Sequence, residues 1–385
     1  MTIRLDNLRL YLLAFVATLF FPLWYFRTKK NIGETPRILV IPQSTRIGDL
    51  VCATPLLGEI KKKYPKSFLS VAVNKKVAGV IINNPYIDEV FILEDEEYLE
   101  FFGLIRRFKR IREKHFDVSV CVSGASAGTM LSVYGMIPRR IKVVRNPRSF
   151  SEKITDWMNT DTVCYRVGDY LPELYLTTLK YVGIEMPKKI NKEVFTSQES
   201  NVKAETFLKE HHLSPDDLIV GFSVTAGNKI KEWRLSKFGV LAQELIKKYN
   251  AKIIFTGSPN DKEEIDTVNK VIDNKGINST DTFSLEEQPS LIQHFDIFIS
   301  ADTGVTHIAD GLGVPLIDIV GPVDPTEQAP RGETSVVVRP PQGIEPTIFA
   351  FRPAGNIAES KRAVEETSVD EVVKAFDTLY SKIYA

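Results

Sequence analysis

Short β-branched, apolar runs, each followed by a turn and then a stretch of helical periodicity, recur along this chain, and this alternation limits the folds open to it. Residues 37–42 (RILVIP) read as a buried strand, 50–64 as a helix stopped by Pro65, and 68–73 as a second strand. A short helix over 77–82, a strand at 90–92, a basic amphipathic helix over 98–114, a strand at 117–122 and a helix over 168–182 continue the pattern. Residues 186–200 (MPKKINKEVFTSQES) are polar without helical periodicity and read as a linker. The alternation then resumes with strands at 218–224, 252–256, 295–300 and 316–320 and helices over 235–249, 261–272 and 303–312. Ser284 with Glu287, and Ser368 with Glu371, have the form of capping boxes, the second heading an amphipathic helix that carries Val372, Phe376, Leu379 and Ile383. Alternation of this kind predicts an α/β protein: two doubly wound parallel sheets with helices on both faces. Ligands in such folds bind beyond the carboxyl ends of the strands, so a cleft between the two domains is the expected site.

Composition narrows the function. Lys and Arg number 49, as do Asp and Glu, so the net charge is zero and a general basic field for nucleic acid is missing. The balance of apolar and charged residues excludes a disordered chain, a collagen repeat and a coiled-coil rod. The three cysteines, Cys52, Cys121 and Cys164, are odd in number, widely spaced and outside any CxxC pair, which fits a reduced compartment. The five histidines show no metal-ligand spacing, so no metal is expected.

One apolar run stands apart. Residues 10–26 (LYLLAFVATLFFPLWYF) carry no charge and reach the lower length limit for a membrane span. Trp24 and Tyr25 sit beside Arg27, Lys29 and Lys30, an arrangement suited equally to an interfacial helix. A cleaved signal peptide fits poorly, because no small-residue cleavage site follows. The expectation is a membrane-anchor or interfacial helix within residues 1–30, with the rest of the chain on the cytoplasmic side of the membrane.

Three constellations could carry chemistry. Residues 45–51 (TRIGDLV) follow the first strand; Gly48 permits close backbone approach, and Asp49 either faces the site or simply caps the helix. Lys231, in the KEWR segment after the strand at 218–224, is either a point charge for phosphate or a solvated loop lysine. Residues 300–309 (SADTGVTHIA) place Asp302, Thr303 and Gly304 where a strand gives way to a helix, with His307 one turn on. Free N–H groups and the positive helix end suit a diphosphate there, and an Asp N-cap beside a buried His is the plainer alternative. A competing signal is GxSxG at residues 124–128 (GASAG), which would make Ser126 a hydrolase nucleophile followed in order by Asp302 and His307. Asp302 and His307 stand too close in sequence for a good triad, and no Walker or GxGxxG motif is present.

Taken together, ILVIPQSTRIGDLVCATPLLGEIKKKYP, SVTAGNKIKEW and ISADTGVTHIADGLGVPLIDIVGPVDP resemble three motifs, in order, of glycosyltransferase family 9, the ADP-heptose:lipopolysaccharide heptosyltransferases and their relatives. The resemblance implies a GT-B fold: an acceptor-side Rossmann-like domain over 36–190, a nucleotide-sugar domain over 200–350, and a helix within 351–385 that crosses back to the first domain. It implies inverting, metal-independent sugar transfer without a cofactor, from a nucleotide diphosphate sugar such as ADP-heptose to a lipid-linked saccharide such as the lipopolysaccharide core, at the cytoplasmic face of the inner membrane. Asp49 falls on the family's catalytic base and Lys231 on its phosphate contact. Thr225, Asp302, Thr303, Gly304 and His307 fall on the donor site. Arg46 departs from the common Ser-Leu-Gly-Asp form, and it and Gly48 become possible phosphate or acceptor contacts. A membrane-anchored sugar-nucleotide binding protein without catalysis is the non-enzymatic alternative.

Overall fold

The computed structural model describes residue 16 and residues 32–94, 101–351 and 355–384. The apolar run at 10–26 therefore lies outside the described residues except for Val16, and among the described residues no helix is long and apolar enough to cross a membrane.

Twelve strands are described, in two sheets. In the first, β1 (Arg37–Ile41), β2 (Phe68–Asn74), β3 (Glu89–Leu93), β4 (Val118–Cys121), β5 (Arg139–Val144) and β6 (Asp161–Cys164) run parallel in the order β3-β2-β1-β4-β5-β6. In the second, β7 (Ile219–Ser223), β8 (Lys252–Phe255), β9 (Ile277–Asn278), β10 (Ile297–Ser300), β11 (Leu316–Ile319) and β12 (Ser335–Val338) run parallel in the order β12-β11-β10-β7-β8-β9. Counted from its own first strand, each sheet is wound alike, out from one central strand in one direction and then from its neighbour in the other. The reversal falls between β1 and β4, and between β7 and β10, which are the topological switch points of doubly wound sheets. The chain divides into two compact units: one runs to Ala78 and resumes over Pro85–Ile190, and the other combines Gly79–Asn84 with the chain from Asn191 onward.

The predicted strands fall within a residue or two of those observed, and β5, β6, β9 and β12 are additions. β5 reads RRIKVV, and its cations disguise it. Lys142 is fully buried and donates to Asp156 Oδ1 at 2.8 Å and to Thr129 Oγ1 at 3.0 Å. Burial of a charge is tolerated only with such partners. The helix expected over 50–64 is two helices, Ile47–Cys52 and Thr54–Lys63, because Pro55 lacks the N–H that would continue one into the other. The helix expected over 77–82 is confined to Lys75–Ala78. The segment read as a linker already starts the helix Gln198–Glu210, capped by Ser197. At Ser284 the anticipated cap forms as a turn, the Ser284 N–H donating to Glu287, and the helix starts only at Gln288–Ile292. At Ser368 the reciprocal bonds with Glu371 are present and the helix Val369–Tyr384 follows.

The last helix, expected from the resemblance to reach the first domain, has a buried face that joins the second unit's own core. Val372, Phe376 and Leu379 pack with Phe238, Leu241 and Leu245 of the helix Leu235–Tyr249 and with Ile317 and Ile319 of β11. Tyr249 stacks obliquely on Phe376 and Tyr380, with ring centroids 5.0 and 4.7 Å away. The physical reason lies in the apolar face of Leu235–Tyr249, which β7 and β8 leave partly uncovered and which the last helix closes. Replacing Phe376 by Ala should lower unfolding stability by about 3–5 kcal/mol, the usual range for a deleted core aromatic. Urea denaturation would register this, and a loss under about 1 kcal/mol would show that the helix is not part of the core.

Candidate functional site

The winding of the second sheet brings Lys231 and Asp302 together. β7 and β10 are neighbours, Ser223 pairing with Ser300, and both chains leave the sheet at its carboxyl edge. The segment after β7 carries buried Thr225, then a turn in which Ala226 N–H donates to Glu232 Oε1, and then a short 3-10 turn, Lys229–Lys231. From that turn Lys231 Nζ reaches Asp302 Oδ2 at 2.7 Å. Trp233, two residues on, fixes the segment from its other side. It is 1 % exposed, meets Phe238 edge-to-face at 5.0 Å, and donates from Nε1 to the Thr367 carbonyl at 3.0 Å. The Lys-x-Trp spacing thus gives one side chain to the core and the other to the site.

The segment after β10 is built as tightly. Thr303, rather than Asp302, caps the helix Gly304–Leu312, its hydroxyl accepting from Val305 N–H at 3.2 Å. Thr306 accepts from Thr303 N–H at 3.0 Å and lies 2.7 Å from the Ser300 hydroxyl. Gly313 ends the helix with a left-handed φ of 73°, a region glycine enters without steric cost. Asp302 is thereby released from capping and turns to Lys231. Burial works against its charged form, but the Lys231 charge and hydrogen bond prevail, and its carboxyl titrates below the ordinary range.

Two residues absent from the sequence reading complete the network. Asp318, the third residue of β11 and fully buried, accepts from Asp302 N–H on Oδ1 at 3.0 Å. Lys192, inside the stretch read as linker, is buried and contacts His307 Nδ1 at 3.2 Å, the Gln328 carbonyl at 2.8 Å and Asp310 at 2.9 Å. A buried Asp in a strand of apolar residues was the signal for Asp318. Lys192 had none, because its partners lie far along the chain.

In the first unit, Asp49 occupies the first turn of the helix Ile47–Cys52 with Gly48 beside it, and is 5 % exposed. The N-cap position is Arg46, so Asp49 is not the cap residue. The Arg46 guanidinium is mostly exposed and stands 3.9 Å from Asp49 Oδ2. A carboxylate in a helix's first turn, beside an exposed cation, can accept a proton from a bound hydroxyl. The hydrolase alternative loses its support. Ser126 begins the helix Ser126–Tyr134, and its hydroxyl is buried with no hydrogen-bond partner, and so no adjacent base, among the described residues.

His307 offers a pH test. Burial, reinforced by the Lys192 charge, lowers its pKa from 6.5 to about 3. Folded protein thus holds a neutral imidazole through a window in which the unfolded chain takes up a proton. Stability should therefore fall as pH drops from 6.5 towards 3, at about 1.4 kcal/mol per unit of the shift at most. H307N should flatten this part of a urea-midpoint profile, and equal slopes for the two proteins would show that His307 is not buried as the neutral form.

Comparisons with known proteins follow the same lines. Residues 105–349, more than half of the chain, match the model of glycosyltransferase family 9 (heptosyltransferase). The lipopolysaccharide core heptosyltransferase OpsX of Haemophilus influenzae is 24 % identical over 313 residues, covering 79 % of this chain and 85 % of that protein. Lipopolysaccharide heptosyltransferase 1 of Campylobacter coli is 25 % identical over 296 residues, covering 74 % and 83 %. Among solved structures, a family 9 glycosyltransferase from Veillonella parvula superposes with a TM-score of 0.76 at 20 % identity, over 90 % of this chain and 98 % of that one. The E. coli heptosyltransferase WaaC solved with ADP-2-deoxy-2-fluoro heptose gives 0.67 at 15 % identity, over 89 % and 99 %. The chain belongs to glycosyltransferase family 9, the heptosyltransferase family.

Proposed function

We propose that the protein is an inverting glycosyltransferase that moves a heptose from ADP-heptose onto a lipid-linked saccharide of the lipopolysaccharide core. The observation that carries this reading is the Lys231–Asp302 pair at the switch point of the second sheet, beside the start of the helix Gly304–Leu312. Cation, helix N-terminus and a small residue at its first position together suit a diphosphate. The names of the relatives support the heptose and the acceptor, and the ADP-heptose analogue bound to the E. coli enzyme supports the donor.

On this reading Asp49 is the general base. It removes the acceptor hydroxyl proton as that oxygen attacks the anomeric carbon, and the bond to the diphosphate breaks in the same displacement. Negative charge grows on the leaving diphosphate. Lys231 has three N–H donors, of which Asp302 engages two, through Oδ2 at 2.7 Å and its carbonyl at 3.5 Å, so the third can donate to a phosphate oxygen. Within the turn 302–304 the Asp302 and Thr303 N–H groups already donate to Asp318 and Thr306, so the Gly304 N–H and the helix dipole are what stabilise the same charge, and the reading assigns leaving-group stabilisation to the protein rather than to a metal or cofactor. Asp302 would orient sugar hydroxyls, with Thr225 and neutral His307 lining the donor site. Arg46 and Gly48 would meet the acceptor or a phosphate. The apolar run at 10–26 is read as the anchor that holds the enzyme at the cytoplasmic face of the inner membrane, beside that acceptor.

Asp49→Ala should reduce turnover by at least ~10² with donor affinity little changed. Steady-state kinetics with ADP-heptose and a truncated core acceptor would measure it, and unaltered turnover would remove Asp49 from the role of base. Lys231→Ala should weaken ADP binding by about tenfold or more in calorimetry. An unchanged affinity would remove Lys231 from the diphosphate site.

A further inference from the structure

We propose that Asp318 is a positioning residue of the donor site: an uncharged carboxyl beneath the turn 302–304 that fixes Asp302 by accepting its amide hydrogen. The inference rests on the donor-site reading above and concerns a residue that touches no ligand itself. Three observations carry it. Asp318 is fully buried in β11, in register with Ser300, the last residue of β10. Its Oδ1 accepts from Asp302 N–H at 3.0 Å. Its Oδ2 is buried with no hydrogen-bond partner among the described residues.

The charge balance then selects the protonation state. The charged groups that bear on Asp318 are Asp302, Lys231 and Lys192. Lys231 is already paired with Asp302, and Lys192 with Asp310. These two pairs sum to zero. An ionised Asp318 would add an uncompensated negative charge directly beneath the place proposed for a diphosphate, and its Oδ2 would be a buried charge without a partner. A neutral acid avoids both. Burial first, and then the negative charge of Asp302, push this carboxyl well above the ordinary range, in the same direction. With its proton on Oδ2, Oδ1 stays an acceptor, and the Asp302 amide cannot swing away from the sheet. Asp302 therefore enters the site with its side chain already aimed at Lys231, and the donor meets a formed site instead of ordering one.

Asp318→Asn and Asp318→Leu separate the possibilities, with ADP as the probe in calorimetry on the full chain. Asn keeps the acceptor and the neutral state, and should bind ADP within about threefold of wild type; Leu removes the acceptor and should weaken binding by about tenfold or more. The second readout is unfolding stability against pH, which a simple packing role would not move. A neutral folded Asp318 retains a proton that the unfolded chain loses above pH 3.8, so wild type should lose stability relative to D318N as pH rises from about 4 to 8. A wild type that instead gains on D318N over that range, as an ionised carboxylate accepting an N–H would, overturns the inference. So does ADP binding by D318L at wild-type strength. If D318L does not fold, the pH comparison with D318N still decides. If wild type itself binds no ADP, UDP, GDP or CDP, the donor-site reading fails, and this inference fails with it; wild-type binding with unmoved variants rejects this inference alone.

Discussion

The ion pair between Lys231 and Asp302 is the contact on which the candidate donor site depends, because it joins two segments that share nothing but the edge of a sheet. One partner stands on a 3-10 turn that would otherwise be free to drift. The other stands at a strand end whose helix is capped by its neighbour. Each partner needs outside support to hold a 2.7 Å contact, and each has it. Trp233 ties the Lys231 segment to the Thr367 carbonyl, and Lys237 reaches the same carbonyl at 2.7 Å. The last helix follows directly from Thr367 and packs into the core. Phe376 is therefore connected to the lysine by a short run of packed and hydrogen-bonded groups. Mutual geometry here is a property of the whole second unit rather than of the two motifs.

Much of this was legible in the sequence, and the parts that were not share a cause. β1, β2, β7, β8, β10 and β11 are apolar enough to announce themselves, and they are the strands that position the site. Asp49, Lys231, Asp302, Thr303 and His307 stood out because they follow such strands. β5 did not, since Arg139, Arg140 and Lys142 make a buried strand look solvated. Its lysine is compensated by Asp156, fourteen residues away, a pairing that no local window contains. Lys192 was hidden likewise: a lysine in a polar stretch reads as exposed until the helix Gly304–Leu312 is folded against it. The plainer alternative, an Asp302 N-cap, falls one residue short of the cap at Thr303, because Asp and Thr are both good caps and the sequence cannot say which side chain has another claim on it. At Asp302 that claim is Lys231.

The two sheets wind identically and yet present opposite chemistry at their switch points, which separates what the fold supplies from what side chains add. The fold supplies two adjacent strand ends and the start of a helix. At β1 that place holds a carboxylate with an exposed arginine 3.9 Å away, a loose pair that a bound hydroxyl or anion can rearrange cheaply. At β7 and β10 it holds a lysine whose charge is already matched, with a second acidic group, Asp318, below. A matched lysine is a weak attractor at long range, so net charge cannot draw an anion in. What remains is short-range and directional: the third donor of Lys231, the Gly304 N–H and the helix end. Such a site favours a ligand with oxygens at fixed separations over any anion of the same charge, and a diphosphate has that geometry. The neutral sum that makes the whole chain uninformative by charge count is thus repeated at the candidate donor site, where it converts electrostatic attraction into geometric selection.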